Sequence, residues 1–411
     1  MNNIGKKKIK VIISTLGPLH LIKAAEYLNE IVDIKVIQGW IPSLWNRWLL
    51  YIASYIQHRN IFRTIKKRTP ESLKGRNQGI SIPDMVYWAC RLFRLTSNRK
   101  ASFIASQLYG KMQQKYIKDA DIFHVRSGSG SHGAIEKARE KGMKVLVDHS
   151  IAHPVFMDKQ LRREYEKNSE DFDMGLDSPF WREIIEECNK SDAVLVNSQF
   201  VKDTFVENGF CAEKIRVVLQ GVRSDFYSLK NNYDIHGIIH ILFTGGFGFR
   251  KGAEYILRAL CELDKAGFKY EFTVVGDFSG ALPLVKKYTP KNLNLINTVP
   301  QDELKHYLME SDVYLFPSLC EGCASSGMEA LAAGLPVIAT RESGLPIENG
   351  VDGVLVESKN VMAIIEALQV ISKDKALREA LGRNAAKKIS SQYTWENYAE
   401  NVVKVYNELL R

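Results

Sequence analysis

No apolar run in the 411-residue chain approaches the ~18–20 consecutive residues that a bilayer-spanning helix needs, so no membrane span is expected. The basic start, Met1 to Lys10, is not followed by an apolar stretch and a small-residue cleavage site, and no secretory signal is read there. Cysteine is scarce and scattered: Cys90, Cys188, Cys211, Cys261, Cys320 and Cys323 form no disulfide framework and suit the reduced thiols of a cytoplasm. Short-period repeats and low-complexity tracts are missing as well. Acidic residues are sparse at one end only. Residues 1–120 hold 6 Asp and Glu against 21 Lys and Arg, whereas the remainder holds 41 acidic against 35 basic residues. A surplus of +15 on the first third favours an anionic partner or surface there. No zinc-finger or RNA-recognition motif accompanies it, so nucleic acid is not the expected partner.

What remains is the balance of a folded protein, 45% hydrophobic and 25% charged, in a chain long enough for two domains. Short β-branched runs alternate with helical stretches, which implies an α/β fold of parallel sheets flanked by helices. The expected strands are Lys10–Ser14, Ile34–Ile37, Ile122–Val125, Lys144–Val147 and Ala193–Val196, then His240–Phe243, Phe272–Val275, Leu293–Ile296, Val313–Phe316 and Pro336–Ala339. Helices are expected at Leu21–Asn29, His132–Lys141, Ala253–Ala266, Gln301–Glu310 and Ser326–Ala333. These form two successive Rossmann-like series: residues 1–228, the basic one, and residues 237–392. The polar stretch Arg223–Gly237 carries the break. Residues 393–411 form a last helix with one apolar face, free to cross back to the first domain.

Residues 41–68 combine Trp45, Trp48, Tyr51, Ile52 and Tyr55 at helical spacing with Arg59, Arg63, Lys66, Lys67 and Arg68. Such a segment suits an anionic membrane surface, aromatic side down, although a core-packed helix with a solvated basic tail shares the pattern.

Two loops carry the chemistry. Gly245-Gly246-Phe247-Gly248-Phe249-Arg250-Lys251-Gly252 follows a strand and opens a helix. Glycines there admit a ligand close to the backbone, and a helix N-terminus with Arg250 and Lys251 suits an anion. The bland alternative is a tight turn with two solvated cations. The second loop, Phe316 to Leu331, places Glu321 before a helix and Glu329 within it. Both carboxylates can face one cleft and accept from vicinal hydroxyls, while the amides of Gly322, Cys323, Ala324, Ser325 and Ser326 are placed for phosphate.

The Phe-Arg-Lys-Gly element, the paired glutamates and the trailing Glu-Ala-Leu-Ala-Ala-Gly-Leu-Pro-Val-Ile resemble the retaining glycosyltransferases of family 4, which have the GT-B fold. The likeness extends through Asn197-Ser198, Val217 to Val222 and Val275-Gly276-Asp277, and it covers residues 190–400 best. It implies a hexosyltransferase-like enzyme using a nucleotide diphosphate-sugar as substrate, with no cofactor or metal required. By the same resemblance Arg250 and Lys251 bind the donor diphosphate, Glu321 and His149 contact the donor sugar, and Glu329 takes the ribose. The loop of Gly17 and His20 would face the acceptor, a glycan or lipid-linked intermediate of polysaccharide or cell-envelope synthesis. The enzyme would then be cytoplasmic and peripheral on the inner face of the membrane. Gln220 and Arg223 depart from the Asn and Asp usual in that turn, and Cys323 and Ala324 from Phe and Gly.

Three patterns point elsewhere. Gly128-Ser129-Gly130-Ser131-His132-Gly133 is a literal G-x-G-x-x-G, with Asp148 closing the next strand. It would suit an NAD(P)-binding Rossmann enzyme. His149 and His153 are spaced for zinc on a helix, but Pro154 interrupts and no third ligand is near. Cys320 and Cys323 make one C-x-x-C without a second pair, leaving only a redox role for it. A nucleotide- or sugar-binding module without turnover would share the whole pattern.

Overall fold

The computed structural model describes residues 8–17, 20–41, 68–172 and 174–411. The segment 41–68, except Ile41 and Arg68, lies outside them, as do Pro18 and Leu19.

The first lobe is built on β1 (Lys10–Thr15), β2 (Asp33–Gln38), β3 (Asn77–Gly79), β4 (Ile122–Arg126), β5 (Lys144–His149), β6 (Ala193–Val196) and β7 (Ile215–Val217), with the helices α1 (His20–Ile31), α2 (Ser81–Leu92), α3 (Asn98–Gln113), α4 (Ala134–Glu140), α5 (Pro154–Glu166), α6 (Pro179–Lys190) and α7 (Gln199–Glu207). The second holds β8 (Ile239–Thr244), β9 (Tyr270–Val275), β10 (Leu293–Ile296), β11 (Val313–Phe316), β12 (Val337–Ala339) and β13 (Val354–Leu355), with α8 (Ala253–Lys265), α9 (Leu282–Lys287), α10 (Gln301–Glu310), α11 (Ser325–Ala333), α12 (Val361–Lys373) and α13 (Lys375–Gln392). The last helix is α14 (Trp395–Leu409).

Both sheets are parallel, in the orders β3-β2-β1-β4-β5-β6-β7 and β10-β9-β8-β11-β12-β13. The central strands are buried on both faces, which is why they read as apolar runs rather than alternating ones. In each sheet the strand order reverses once, between β1 and β4 and between β8 and β11. The loops that leave those strand ends diverge and open a crevice. The ten expected strands are all present, and the two-lobed α/β architecture is as expected.

Local chemistry sets the helix starts. Ser198, Asn360 and Thr394 accept from the amides of Val201, Ala363 and Asn397 as N-caps. α4 begins two residues later than the pattern suggests, because His132 (φ 57°) and Gly133 (φ 94°) take left-handed backbone.

The chain crosses between the lobes twice. At the crossings Val222 N donates to Tyr393 O at 2.8 Å, and a Cβ on Gly221 would come within 2.6 Å of Trp395 Cα. After the second crossing α14 packs on the first lobe. Trp395 stacks on Tyr27 of α1, and Trp395, Tyr398, Val402 and Tyr406 complete an apolar cluster with Leu21, Ala24 and Leu28.

Candidate functional site

At the second lobe's switch point, β8 ends at Thr244 and Gly245 turns with φ 109°. A single helical turn at Phe249–Lys251 follows, and Gly252 (φ 77°) delivers the chain into α8. A side chain at Gly252 would overlap the Pro317 carbonyl, so the two site loops lie against each other here. Arg250 O accepts from Leu319 N at 2.9 Å and from Ser318 Oγ at 3.0 Å, which rivets them together.

The side chains of these loops meet. Arg250 Nη1 donates to Cys320 O at 3.0 Å and is paired with Glu321 Oε1. Lys251 Nζ lies 2.7 Å from the same carboxylate oxygen and 4.8 Å from the centroid of the Phe316 ring. Glu321 itself is buried. Burial pushes the Lys251 ammonium below its ordinary range, and the Glu321 charge offsets this only in part. Two like charges are thus held side by side by one shared carboxylate. The sequence reading had Glu321 at a sugar; the structure adds that it is the counter-ion of both cations.

Beyond Glu321 the loop turns into α11. Gly322 touches the first lobe: a Cβ there would come within 2.5 Å of the Ser150 carbonyl carbon and 2.6 Å of Asn197 Oδ1, and Gly322 O accepts from Ser198 Oγ at 2.5 Å. Ala324 N is spent on Ser343 O at 3.2 Å, so this amide is not turned to a phosphate as the spacing suggested. Gly246 has open space where a Cβ would stand. Cys320 and Cys323 are free thiols, both pushed up to about 12 by burial, far from the thiolate that redox chemistry would use.

Across the interface, the strand ends of the first lobe carry a charge network invisible in the sequence. His20 Nε2, at the start of α1, donates to Asp148 Oδ2 at 3.0 Å. Arg126 donates to Asp148 O at 2.8 Å and Oδ1 at 2.9 Å, and to Ser150 Oγ at 2.7 Å. Burial alone would raise the Asp148 carboxyl; His20, His124 with its Nε2 3.7 Å away, and Arg126 outweigh it and hold it well below the usual carboxylate range. His124 in turn lies 2.7 Å from the Tyr406 hydroxyl of α14.

His149, expected at the donor sugar, is buried with its ring edge-on to Phe205 at 5.2 Å. Its Nδ1 lies 2.9 Å from Ser127 Oγ. Burial, with the Arg126 charge, pushes it down to about 3, so the ring is neutral. His153 caps α5 and packs on Phe205 and Phe210. Among the described residues no group of three or more His, Cys, Asp and Glu is placed to hold a metal.

The G-x-G-x-x-G loop does form an anion nest, but a side chain fills it. Glu187 of α6 accepts from Gly128 N at 2.7 Å, Gly130 N at 3.0 Å, Ser131 N at 2.7 Å and Ser131 Oγ at 2.6 Å. The donors that a dinucleotide pyrophosphate would need are taken. Asp148 likewise faces His20 and Arg126 rather than this loop.

A cleft of about 990 Å³ separates the lobes. His20, Lys23 and Tyr27 of the first lobe, Cys323, Ser325 and Glu329 of the second, and Gln220 and Arg223 of the crossing line it. Arg223 is paired with Asp225 at 2.5 Å. The Arg250–Lys251–Glu321 cluster, Gly17, Gly246, Gly322, Ala324 and His149 are not among the lining residues. Among the described residues no helix is long and apolar enough to cross a membrane.

With this geometry in hand, comparison with known proteins is specific. Residues 70–226 match the model of Glycosyltransferase Family 4, and residues 231–388 that of Glycosyl transferases group 1. The amylovoran biosynthesis glycosyltransferase AmsK of Erwinia amylovora is 30% identical over 215 residues, 47% of this chain and 53% of that protein. The chain spans about half the length of the curated relatives it matches. Sucrose-phosphate synthase from Thermosynechococcus elongatus superposes over 98% of this chain and 99% of its own, with a TM-score of 0.66 at 16% identity. HepE of Anabaena, solved in complex with UDP, superposes over 97% of this chain and 100% of its own, with a TM-score of 0.61 at 13% identity. One family model on each lobe, together taking in well over half of the residues, and a fold shared end to end with those structures make this chain a member of the family 4 glycosyltransferases, with the GT-B fold.

Proposed function

We propose that the chain transfers a sugar, with retention, from a nucleotide diphosphate-sugar to a hydroxyl of a glycan or lipid-linked acceptor. The reaction takes place in the cytoplasm at the inner face of the membrane. The observation that carries this reading is the convergence of Arg250 and Lys251 on Glu321, directly before the helix that brings Glu329 to the cleft.

As the glycosidic bond opens, negative charge grows on the departing diphosphate. The Arg250 fork and the Lys251 ammonium, already assembled and half-buried, stabilise that charge more in the transition state than in the ground state. No reorganisation is required at that moment. Glu321 holds both cations in place and meets the donor sugar, and Glu329, one turn into α11, takes the ribose hydroxyls. The amides of Cys323 and Ser325 and the open backbone at Gly246 border the donor. His149, neutral and turned inward, acts from behind Ser150 as a positioning residue. The acceptor enters beside Gly17 and His20, whose ring Asp148 orients across the cleft from Glu329. The bond from sugar carbon to phosphate oxygen breaks, the bond to the acceptor oxygen forms on the same face, and the acceptor proton leaves with the diphosphate.

AmsK is named for amylovoran biosynthesis and HepE was solved in complex with UDP, which makes UDP-sugars and glycan acceptors the first to try. The test is a thermal-shift titration against UDP-, GDP- and ADP-sugars, followed by transfer assays with NMR of the product anomer. One donor class should raise the melting temperature with the logarithm of its concentration. Arg250→Ala should lower turnover about 100–1,000-fold. Wild-type transfer by Arg250→Ala, or no stabilisation by any donor, overturns the assignment.

A further inference from the structure

An amphipathic helix of a globular protein normally buries its apolar stripe. α2 does the reverse. Met85, Trp88 and Leu92 are 61, 43 and 70% exposed, Ile82 precedes them at 50%, and Phe93 and Leu95 continue the patch at 68 and 69%. Advancing ~100° per residue, positions 82, 85, 88 and 92 fall within one third of the helix circumference, an unbroken strip ~15 Å long. Pro83 alone of this helix is fully buried.

The stretch of sequence from the strip onwards carries charge of one sign. From Met85 to Lys118 the sequence has seven Lys and Arg and no Asp or Glu. Arg91 lies 5.8 Å from the centroids of both the Tyr87 and Trp88 rings, level with the aromatic part of the strip. Arg94, at φ 51°, follows on the turn that leads to α3. A second copy of this chain, or a protein partner, would need acids to face these cations; the strip has none of its own to offer a twin.

The helix also starts at a telling place. Ile80 N donates to Gln38 O at 2.9 Å, and Asp84 accepts from Trp40 N at 2.5 Å and from Arg68 at 3.2 Å. These bonds pin the start of α2 to the C-terminal end of β2, the edge of the first sheet from which His20 reaches the cleft.

We infer that the exposed face of α2 and its turn, Ile82 to Leu95, docks on an anionic phospholipid bilayer, with the apolar strip among the acyl chains and Arg91 and Arg94 at the phosphates. This surface gives a location to the membrane contact of the proposed function and rests on that reading only for its purpose, the presentation of a lipid-linked acceptor to the first lobe.

The test is co-sedimentation of the full chain with phosphatidylcholine vesicles, with and without phosphatidylglycerol. Wild type should bind the anionic vesicles, and both Trp88→Ser/Leu92→Ser/Phe93→Ser and Arg91→Glu/Arg94→Glu should weaken binding at least tenfold. All five side chains are exposed, so melting temperatures should stay at the wild-type value. An unchanged donor-induced thermal shift in the triple variant separates loss of docking from loss of the donor site. Equal partition with neutral and anionic vesicles overturns the inference, as does wild-type binding by the triple variant. Dissociation of a wild-type dimer by the triple substitution, without change in vesicle binding, would identify a second copy as the occupant and overturn it too.

Discussion

Gly322 is where the second lobe's acidic loop rests on the first lobe, and Gly322→Ala tests whether that contact sets the site. The added methyl carbon would lie 2.5 Å from the Ser150 carbonyl carbon and 2.6 Å from Asn197 Oδ1. Ordinary carbon contacts are about 3.5–4 Å, so the loop must retreat by on the order of 1 Å. Its other side is blocked: a Cβ at Gly344 would overlap Gly322 O and already meets Ser198 Oγ at 2.8 Å. Overpacking of this kind costs about 1–3 kcal/mol of stability. The larger effect is on geometry, because Glu321 is the next residue and carries the pairing of Arg250 and Lys251. A misplacement of ~1 Å costs about 100-fold in turnover. The assay is initial-rate kinetics at saturating donor, beside thermal melting. Gly246→Ala is the contrast: its methyl enters open space, so melting should be unchanged while donor affinity falls. Wild-type turnover in Gly322→Ala would refute the claim that contact between the lobes positions the cations.

Two further outcomes follow from buried groups. Glu187→Ala strips the acceptor from three backbone amides and one hydroxyl, and with ~1–3 kcal/mol at stake for each orphaned donor the loss should be on the order of 3 kcal/mol or more. Urea denaturation reads it, and a midpoint equal to wild type would mean that the glycine loop does not depend on that carboxylate. The His153 ring is pushed down from 6.5 to about 4 by burial, so below pH 6.5 the unfolded chain takes up a proton that the folded chain refuses. Its contribution to stability is therefore whole above pH 6.5 and shrinks as pH falls towards 4. His153→Asn keeps a capping group without the titration, and wild type should lose stability relative to it by up to about 1.4 kcal/mol per pH unit in that window. Parallel pH curves for the two proteins would contradict this.

The sheets were legible in the sequence because doubly buried parallel strands leave continuous β-branched runs, as in Val11–Ile13 and Val313–Phe316. The strands that escaped notice, β3, β7 and β13, are two or three residues long and lie at or near sheet edges, too short for any period to register. The two site loops were legible as loops, from their glycines and their place between strand and helix. Their internal pairing was not. Glu321 reaches Arg250 across 71 positions, Asp148 reaches His20 across 128, and His124 reaches Tyr406 across 282. The G-x-G-x-x-G loop shows the limit most clearly: its spacing read as a dinucleotide fingerprint, and only the fold reveals that the Glu187 carboxyl takes its donors. His149 was found by position at a strand end, but nothing local shows that its ring turns inward to Phe205.

The route of α14 has a consequence for how the molecule is made. A ribosome releases the first lobe's strands and helices early, yet the face of α1 that Trp395, Tyr398, Val402 and Tyr406 cover stays bare until those four residues emerge. His124 waits equally long for its hydroxyl partner, some 280 codons later. The first lobe is thus completed only after the second has been made, and a nascent chain halted before residue 395 presents an open apolar face that a chaperone would meet before the enzyme exists.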